Sequence, residues 1–175
     1  VDHSVCGIIV INIYNNSAIS ALANAGIPTV FYDITPQKYR EGINADVVLL
    51  EGKRTIRQIT ASIIRRGRRQ LGFIGDITYA KTVADRYRGF ELACAENGAV
   101  IEPRFCMTAS RRGHFYFLDE VREFIGSLTD FPEGFVCAND VIAFTVISCL
   151  NERGLSVPRD VAVSGYDNIK ASILT

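Results

Sequence analysis

GFVCAND at residues 134–140 leads through a helical pattern to VPRDVAVSGYDN at residues 157–168. Both segments contain a short, continuous apolar run, which is typical of a buried strand in a parallel sheet. The polar residues Asn139 and Asp167 therefore stand at the carboxyl ends of two predicted strands. In an open α/β sheet, ligands bind outside the carboxyl ends of the strands. These segments thus predict an α/β fold with a binding site at one edge of a sheet.

The rest of the chain repeats this alternation of apolar runs and helical patterns. Predicted helices stop before glycines such as Gly67 and Gly98, where a left-handed residue commonly ends a helix. Alternating strands and helices predict parallel sheets that are covered by helices on both faces. The predicted strands are residues 5–11, 28–32, 45–50, 71–75, 104–108, 135–138 and 161–163. The predicted helices are residues 17–24, 54–66, 82–97 and 140–153, with another around residues 118–128.

The composition argues against several classes of protein. The chain has 175 residues, 48% of them hydrophobic, and its 19 basic and 19 acidic residues give zero formal net charge. An autonomous nucleic-acid-binding domain would carry a basic excess. The apolar run at residues 5–11 is too short to span a bilayer, so we expect no membrane partner. Five cysteines without a Cys-x-x-Cys pair suit a reducing cytoplasm better than a disulfide framework.

The sequence contains no recognisable catalytic or cofactor motif. Only two histidines are present, neither beside a cysteine or carboxylate cluster, so we expect no metal site. No Gly-x-Gly-x-x-Gly follows a strand and no Walker A motif occurs, so we expect no cofactor. His114 lies near Ser110 without a Gly-x-Ser-x-Gly elbow, and we interpret it as a surface-helix histidine. The pattern predicts a protein that is not an enzyme.

Five segments together resemble the effector-binding domain of LacI/GalR-family bacterial transcription regulators. That family shows Ala-Asn-Asp, then Val-Pro-x-Asp-Val, then Gly-(Phe/Tyr)-Asp, as the two segments quoted above do. Three further matches lie upstream: GIPTVFYD at 26–33, IIRRGRRQLGFIG at 63–75 and RYRGF at 86–90. The resemblance implies a periplasmic-binding-protein type I-like fold of two lobes. It assigns residues 1–50 to part of an incomplete first lobe and residues 51–175 to the second lobe.

The resemblance also implies a function and partners. A small effector, a sugar or related metabolite, would bind in the cleft between the lobes and modulate binding to operator DNA. A helix-turn-helix that is not present in this chain would contact that DNA, and the protein would be a cytoplasmic homodimer. A periplasmic sugar-binding receptor of the same fold is the alternative within the binding proteins. A doubly wound hydrolase or transferase is the alternative among enzymes, since one fold hosts many functions.

Three polar residues match effector-binding positions of the family: Arg86, Asn139 and Asp167. They follow three different strands, and such convergence is typical of a small-molecule site. The resemblance assigns Asn139 to the ligand and leaves Asp140 to cap the next helix. Without it, the three would be read as a surface arginine, a helix cap and a turn aspartate. Four more residues are candidates, although each also fits a solvated loop or cap: Thr82, Glu51, Arg54 and Tyr14.

Two other positions bear on the ligand and on assembly. Many relatives carry an aromatic residue five positions before the glycine that matches Gly113, and Thr108 stands there in this chain. The substitution predicts the loss of a stacking partner for a flat ligand. Phe144 lies outside the apolar stripe of the predicted helix 140–153, so we expect it to be exposed and to form the dimer interface. Packing under a neighbouring loop is the alternative for Phe144.

Overall fold

The computed structural model describes residues 5–114 and 117–169. Strands and helices alternate along the chain, as expected for an α/β protein. The strands are β1 (Ile8–Ile11), β2 (Thr29–Tyr32), β3 (Asp46–Val48), β4 (Gln70–Ile74), β5 (Val100–Ile101), β6 (Gly134–Cys137) and β7 (Ala162–Ser164). The helices are α1 (Asn16–Ala23), α2 (Pro36–Glu41), α3 (Lys53–Arg65), α4 (Lys81–Asn97), α5 (Phe117–Ser127) and α6 (Asp140–Glu152).

Two parallel sheets organise these elements. The first has the order β1-β2-β3 and the second has the order β5-β4-β6-β7, with every paired strand parallel. We call β1–β3 with α1 and α2 the first lobe, and the elements from α3 onward the second lobe. The predicted parallel α/β fold is therefore confirmed. Because all strands of a parallel sheet end at the same edge, the residues that follow them are gathered there.

The second lobe has the larger core. Its centre is a group of fully buried aromatic side chains: Phe73, Phe90, Phe105 and Phe135. The first lobe buries a small cluster around Phe31 and Ile34, between its sheet and its helices. The opposite face of its sheet is not covered among the described residues, where Ile9 is 76% exposed and Val48 is 50% exposed. Coverage of both faces by helices is thus found for the second sheet only.

The segment after α4 differs from the predicted strand at 104–108. The chain forms the short strand β5 and then a 3-10 turn at Pro103–Phe105, and only Met107 makes an isolated bridge, to Ile74. Proline has no N–H for a sheet and a φ that favours the first helical turn, which explains the difference. Helix α2 was not predicted. Thr35 caps it by accepting a hydrogen bond from the backbone N of Lys38 at 3.1 Å, and Pro36 occupies its first turn.

Helices α3 and α4 pack closely because glycines stand at their contact. A Cβ at Gly89 would lie 2.2 Å from the carbonyl oxygen of Lys53, at the start of α3. A Cβ at Gly52 would lie 2.7 Å from Cγ of Arg86. The glycine of the Arg-x-x-Gly-Phe match therefore brings α4 onto the amino terminus of α3. This contact fixes the position of Arg86, one turn earlier on α4.

Candidate functional site

A cavity of about 850 Å³ lies between the two lobes, at the carboxyl ends of β1, β4 and β6. The first lobe contributes residues of the loop after β1, and the second lobe contributes residues that follow β4 and β6 or belong to α5 and α6. The lining residues are Asn12, Tyr14, Asn15, Tyr79, His114, Phe117, Leu118, Asn139, Val141 and Ile142. Of the predicted effector residues, Tyr14 and Asn139 line this cavity directly.

Arg86 is buried beside the cavity and not exposed to it. Its Nη1 donates a hydrogen bond of 2.6 Å to the carbonyl oxygen of Ala138, the residue before Asn139. Its Nη2 lies 3.5 Å from Oδ1 of Asp167, and its guanidinium carbon stacks 3.7 Å from the ring centre of Tyr166. Nε is buried without a hydrogen-bond partner in the described chain. Arg86 thus links the ends of β6 and β7 and keeps one polar atom unsatisfied.

Asn139 combines the cavity position that the resemblance implies with the capping role that was expected of Asp140. Oδ1 of Asn139 accepts a hydrogen bond of 2.9 Å from the backbone N of Ile142, so Asn139 caps α6. The Asn139 side chain still lines the cavity, and no partner for its Nδ2 is present in the described residues. The carboxylate of Asp140 instead accepts a bond of 2.9 Å from the backbone N of Ile169. The expectation that Asp140 caps the helix is wrong, because Asn139 occupies the cap position.

Asp167 lies in the loop after β7 with a left-handed backbone at φ 105°. Its side chain is 40% exposed and belongs to a smaller cavity shared with Tyr166 and Asn168. Burial raises the pKa of the Asp167 carboxyl, nearby Arg86 opposes the rise, and Asp140 adds to it. Arg86, Asn139 and Asp167 are therefore brought together as neighbours, through the bond of Arg86 to Ala138. Only Asn139 of the three lines the cavity between the lobes.

Thr82 contacts the first lobe. Its hydroxyl donates a short hydrogen bond to Oδ2 of Asp33, and its backbone N donates to Oδ1 at 3.3 Å. Asp33 follows β2, is buried, and has φ 64°. The hydroxyl of Tyr14 donates to the same carboxylate at 3.5 Å, and burial, followed by the charge of Asp33, raises the pKa of Tyr14. The Asp33 carboxylate thus accepts hydrogen bonds from both lobes at the base of the cleft. The Thr82 hydroxyl donates its hydrogen to this carboxylate.

Glu51 and Arg54 lie outside the cavity. The Glu51 carboxylate accepts hydrogen bonds from the backbone N and the hydroxyl of Thr55, at 3.2 and 2.9 Å, and so caps α3. Its backbone carbonyl accepts a short bond from the hydroxyl of Tyr166. Arg54 is exposed and lines an outer groove between α3 and α4 with Arg57 and Glu96. Glu51 is therefore a helix cap and Arg54 is a surface residue, as the alternative interpretation of each predicted.

The burial of side chains on α6 agrees only in part with the burial predicted from the sequence. Ile142, Val146, Cys149 and Leu150 are buried as the core-facing stripe. Phe144 is half-buried and not fully exposed, whereas Val141 on the same helix is 48% exposed. Phe144 is therefore partly covered, whereas the sequence predicted that it would be exposed.

Two aromatic residues of the cavity were not predicted as site residues. The rings of Tyr79 and His114 stack with 3.4 Å between centroids and an angle of 4° between planes, and Tyr14 approaches Tyr79 at 4.1 Å. Burial lowers the pKa of His114, with nearby Asp76 acting in the opposite direction. His114 is exposed, as the sequence indicated, but it is not isolated, since its ring stacks on Tyr79 and lines the cleft. The only signal for Tyr79 was its place in the loop after β4.

A buried glutamate holds the loop that carries His114. Glu120 on α5 is fully buried and accepts hydrogen bonds from the backbone N of Arg111 and of Arg112, at 2.8 and 2.6 Å. It also accepts one from the hydroxyl of Ser110 at 3.1 Å. These bonds, chiefly the one from the Arg111 backbone, lower the pKa of Glu120 below its ordinary value. This carboxylate therefore fixes the turn that precedes His114.

Replacement of Glu120 by Gln is expected to destabilise the protein in a pH-dependent way. Because the folded-state pKa is lowered, the stabilising effect of the carboxylate is present above the ordinary glutamate pKa and is lost as the pH falls through the folded-state value. Urea unfolding of both proteins between pH 7 and pH 3 measures the difference in stability. The difference should be largest near neutrality and should shrink in acid. A difference that does not change with pH would show that the charge of Glu120 is not what holds the loop.

Across residues 5–114 and 117–169, no group of three or more His, Cys, Asp or Glu side chains is placed to hold a metal ion. In the same part of the chain, no helix has the length and apolar character needed to cross a membrane.

Comparisons with known proteins agree with this architecture. Residues 60–174 match the family of periplasmic binding protein-like domains. The HTH-type transcriptional repressor PurR of Pasteurella multocida (strain Pm70) is 33% identical over 162 residues, which cover 91% of this chain and 46% of that protein. PurR of Haemophilus influenzae (strain ATCC 51907 / DSM 11121 / KW20 / Rd) is 36% identical over 115 residues, 65% of this chain and 33% of that protein. The chain thus spans less than half the length of these relatives.

Solved structures show the same fold. A regulatory protein of the LacI family from Chloroflexus aggregans has a TM-score of 0.78 at 21% identity, covering 98% of this chain and 60% of that one. A periplasmic binding protein/LacI transcriptional regulator from Alkaliphilus metalliredigens QYMF, complexed with D-xylulofuranose, has a TM-score of 0.72 at 21% identity, with 99% and 60% coverage. The chain therefore belongs to the periplasmic binding protein-like domain family, and its fold is similar to that of LacI-family regulators.

Proposed function

We propose that this chain senses a small metabolite, of the sugar class, on behalf of a transcriptional regulator. The observation that carries the proposal is the cavity of about 850 Å³ that takes side chains from both lobes. Tyr14 and Asn15 reach it from the first lobe, and Tyr79 and Asn139 reach it from the second. A ligand bound there contacts both lobes at once, so its affinity depends on how the lobes are arranged.

The hydrogen-bonding groups of the cavity suit a sugar. Oδ1 of Asn139 caps α6, but its Nδ2 can donate a hydrogen bond to a sugar hydroxyl, which accepts as well as donates. The structural neighbour from Alkaliphilus metalliredigens is described in complex with D-xylulofuranose, a sugar. This likeness supports the sugar class for the present chain.

Regulation would follow from coupling between sites. A ligand shifts a conformational equilibrium only by its difference in affinity for the two states, and effector and DNA then influence each other reciprocally. We propose that a helix-turn-helix outside this chain binds operator DNA, and that the protein acts in the cytoplasm. We propose a boundary between the lobes near residue 50. The hydrogen bond from Thr82 to Asp33 then joins the two lobes and would couple them.

Two other functions receive less support. A periplasmic sugar receptor of the same fold is not favoured, because the curated relatives compared above are transcriptional repressors. We also propose that the protein is not an enzyme. The groups around the cavity are amides, phenols and one histidine, and this set does not pair a nucleophile with a base.

A thermal-shift screen of sugars, sugar phosphates and nucleobases tests the proposal. A ligand at about 100 times its Kd stabilises the folded state by about 2.7 kcal/mol, which raises the Tm of a protein of this size by roughly 5–10 °C. At least one compound should produce such a rise and remain chemically unchanged after incubation. Catalytic turnover of that compound would contradict a sensing function.

Assembly as a homodimer is a further part of the proposal. We expect α6 to lie at the interface, where half-buried Phe144 and exposed Val141 offer apolar surface. Phe144→Asp should convert a dimer into monomers, because it places an unpaired charge in the contact. Sedimentation velocity of the two proteins measures this change. A monomeric wild-type protein, or a variant that remains dimeric, would remove α6 from the interface.

A further inference from the structure

The side chains that line the cavity between the lobes are mostly uncharged. Its polar side chains are amides, phenols and a histidine, and none of the ten lining residues is Asp, Glu, Lys or Arg. His114 is the only one that could carry a full positive charge, and burial disfavours its protonated form. A charged ligand would therefore lose its hydration shell without gaining a counter-charge in the lining, which is strongly unfavourable.

The charged groups next to the cavity are already engaged with the protein. The Arg86 guanidinium is bonded to Ala138 and lies near the Asp167 carboxylate. Asp33 accepts hydrogen bonds from Thr82 and from Tyr14. Asp76 is buried and accepts bonds from the backbone N and the hydroxyl of Thr78, at 2.9 and 2.6 Å. In the described part of the chain, the charge of Arg86 is thus paired with Asp167 and the Asp33 and Asp76 carboxylates are hydrogen-bonded, while Nε of Arg86 has no partner.

One wall of the cavity is flat and aromatic. His114 and Tyr79 are stacked almost parallel, and one face of the imidazole rests on the phenol. His114 is exposed, and among the described residues its ring nitrogens have no hydrogen-bond partner. Aromatic faces pack favourably against the flat faces of rings. The imidazole can therefore offer both a ring face and a hydrogen-bonding edge to a ligand.

We propose that the cleft selects an uncharged, ring-shaped ligand, whose flat face packs against the His114–Tyr79 pair. Hydroxyl or carbonyl oxygens on the ring edge accept hydrogen bonds from Nδ2 of Asn139 and Nδ2 of Asn15, whose Oδ1 atoms cap helices α6 and α1. This specificity rests on the proposed sensing function. Free sugars and nucleobases share the required chemistry, whereas their phosphorylated forms do not.

Calorimetric titration with matched pairs tests the charge selection. The pairs are D-xylulose with D-xylulose 5-phosphate, D-ribose with D-ribose 5-phosphate, and adenine with AMP. The uncharged member of at least one pair should bind, and its phosphorylated partner should bind roughly 100-fold more weakly or worse, because a desolvated phosphate lacks a counter-charge. The pair that shows binding distinguishes a sugar from a nucleobase. A phosphorylated member that binds equally or more tightly would overturn the inference and leave the sensing function standing. Binding by no compound in either class would contradict the sensing function and this inference with it.

Variants of His114 test the aromatic wall with the ligand found above. His114→Ala should weaken binding about tenfold, whereas His114→Phe should retain most of the affinity because the ring face is kept. Arg88→Ala on exposed α4 surface is the matched control and should bind like the wild type. Circular dichroism of each variant verifies that the fold is intact. An unchanged affinity in His114→Ala would overturn the placement of the ligand on this wall.

Discussion

Gly89→Ala is expected to lower the free energy of unfolding by about 3 kcal/mol, the upper end of the usual cost of overpacking. A Cβ at this position would lie 2.2 Å from the carbonyl oxygen of Lys53, far inside contact distance. That oxygen belongs to the backbone, so α3 and α4 must move apart as whole helices. Alanine also gains about 1 kcal/mol in helix propensity over glycine, which is too little to offset the clash.

Urea unfolding of Gly89→Ala against the wild type measures this loss. Gly126→Ala in α5 is the matched control, because a Cβ there meets nothing within 4 Å. The control should be neutral or up to about 1 kcal/mol more stable than the wild type. Equal effects of the two substitutions would show that close packing at Gly89 does not hold the helices together.

Arg86→Ala is expected to cost about 3 kcal/mol of stability and to abolish effector binding. The substitution removes the bond of 2.6 Å to the carbonyl oxygen of Ala138, and leaves that acceptor unsatisfied in the interior. It also removes the stacking contact with Tyr166. The pair with Asp167 adds little, because that carboxylate is 40% exposed and 3.5 Å away. The loops that follow β6 and β7 would then lose their common anchor.

The measurement combines urea unfolding with calorimetric titration of the effector. Arg86→Lys keeps the charge but lacks the planar fork that bonds and stacks together, so we expect it to recover little of the loss. Arg88, two residues along the same helix, pairs with Glu91 on the surface, and Arg88→Ala should change stability by less than about 0.5 kcal/mol. If Arg86→Ala is as stable as the wild type, Arg86 does not anchor the loops that follow β6 and β7.

Residues at strand ends were the predictable part of the site. Asn139 directly follows an apolar run and Asp167 comes a few residues after another, and parallel pairing places such residues at one edge. The fold followed from the same alternation of strands and helices. Short helices and strands were harder to predict from the sequence. Helix α2 has only six residues and no apolar periodicity, and the run at 104–108 looked like a strand although Pro103 turns the chain just before it.

Contacts between distant loops could not be read from the sequence. Tyr79 and His114 are 35 positions apart, and Glu120 on α5 binds the turn that precedes His114. We propose that this aromatic pair offsets the predicted loss of a stacking partner at Thr108. Thr82 was predicted to bind the effector, yet its hydroxyl is taken by Asp33 from the other lobe. Which partner satisfies a polar group depends on tertiary packing, not on local pattern.

A structure of the protein with the compound that gives the largest rise in Tm would locate the binding site. We expect the compound to occupy the cavity between the lobes and to contact Tyr14 of the first lobe and Asn139 of the second. A compound bound elsewhere, for example in the outer groove beside Arg54 and Arg57, with the cavity between the lobes left empty, would contradict this expectation.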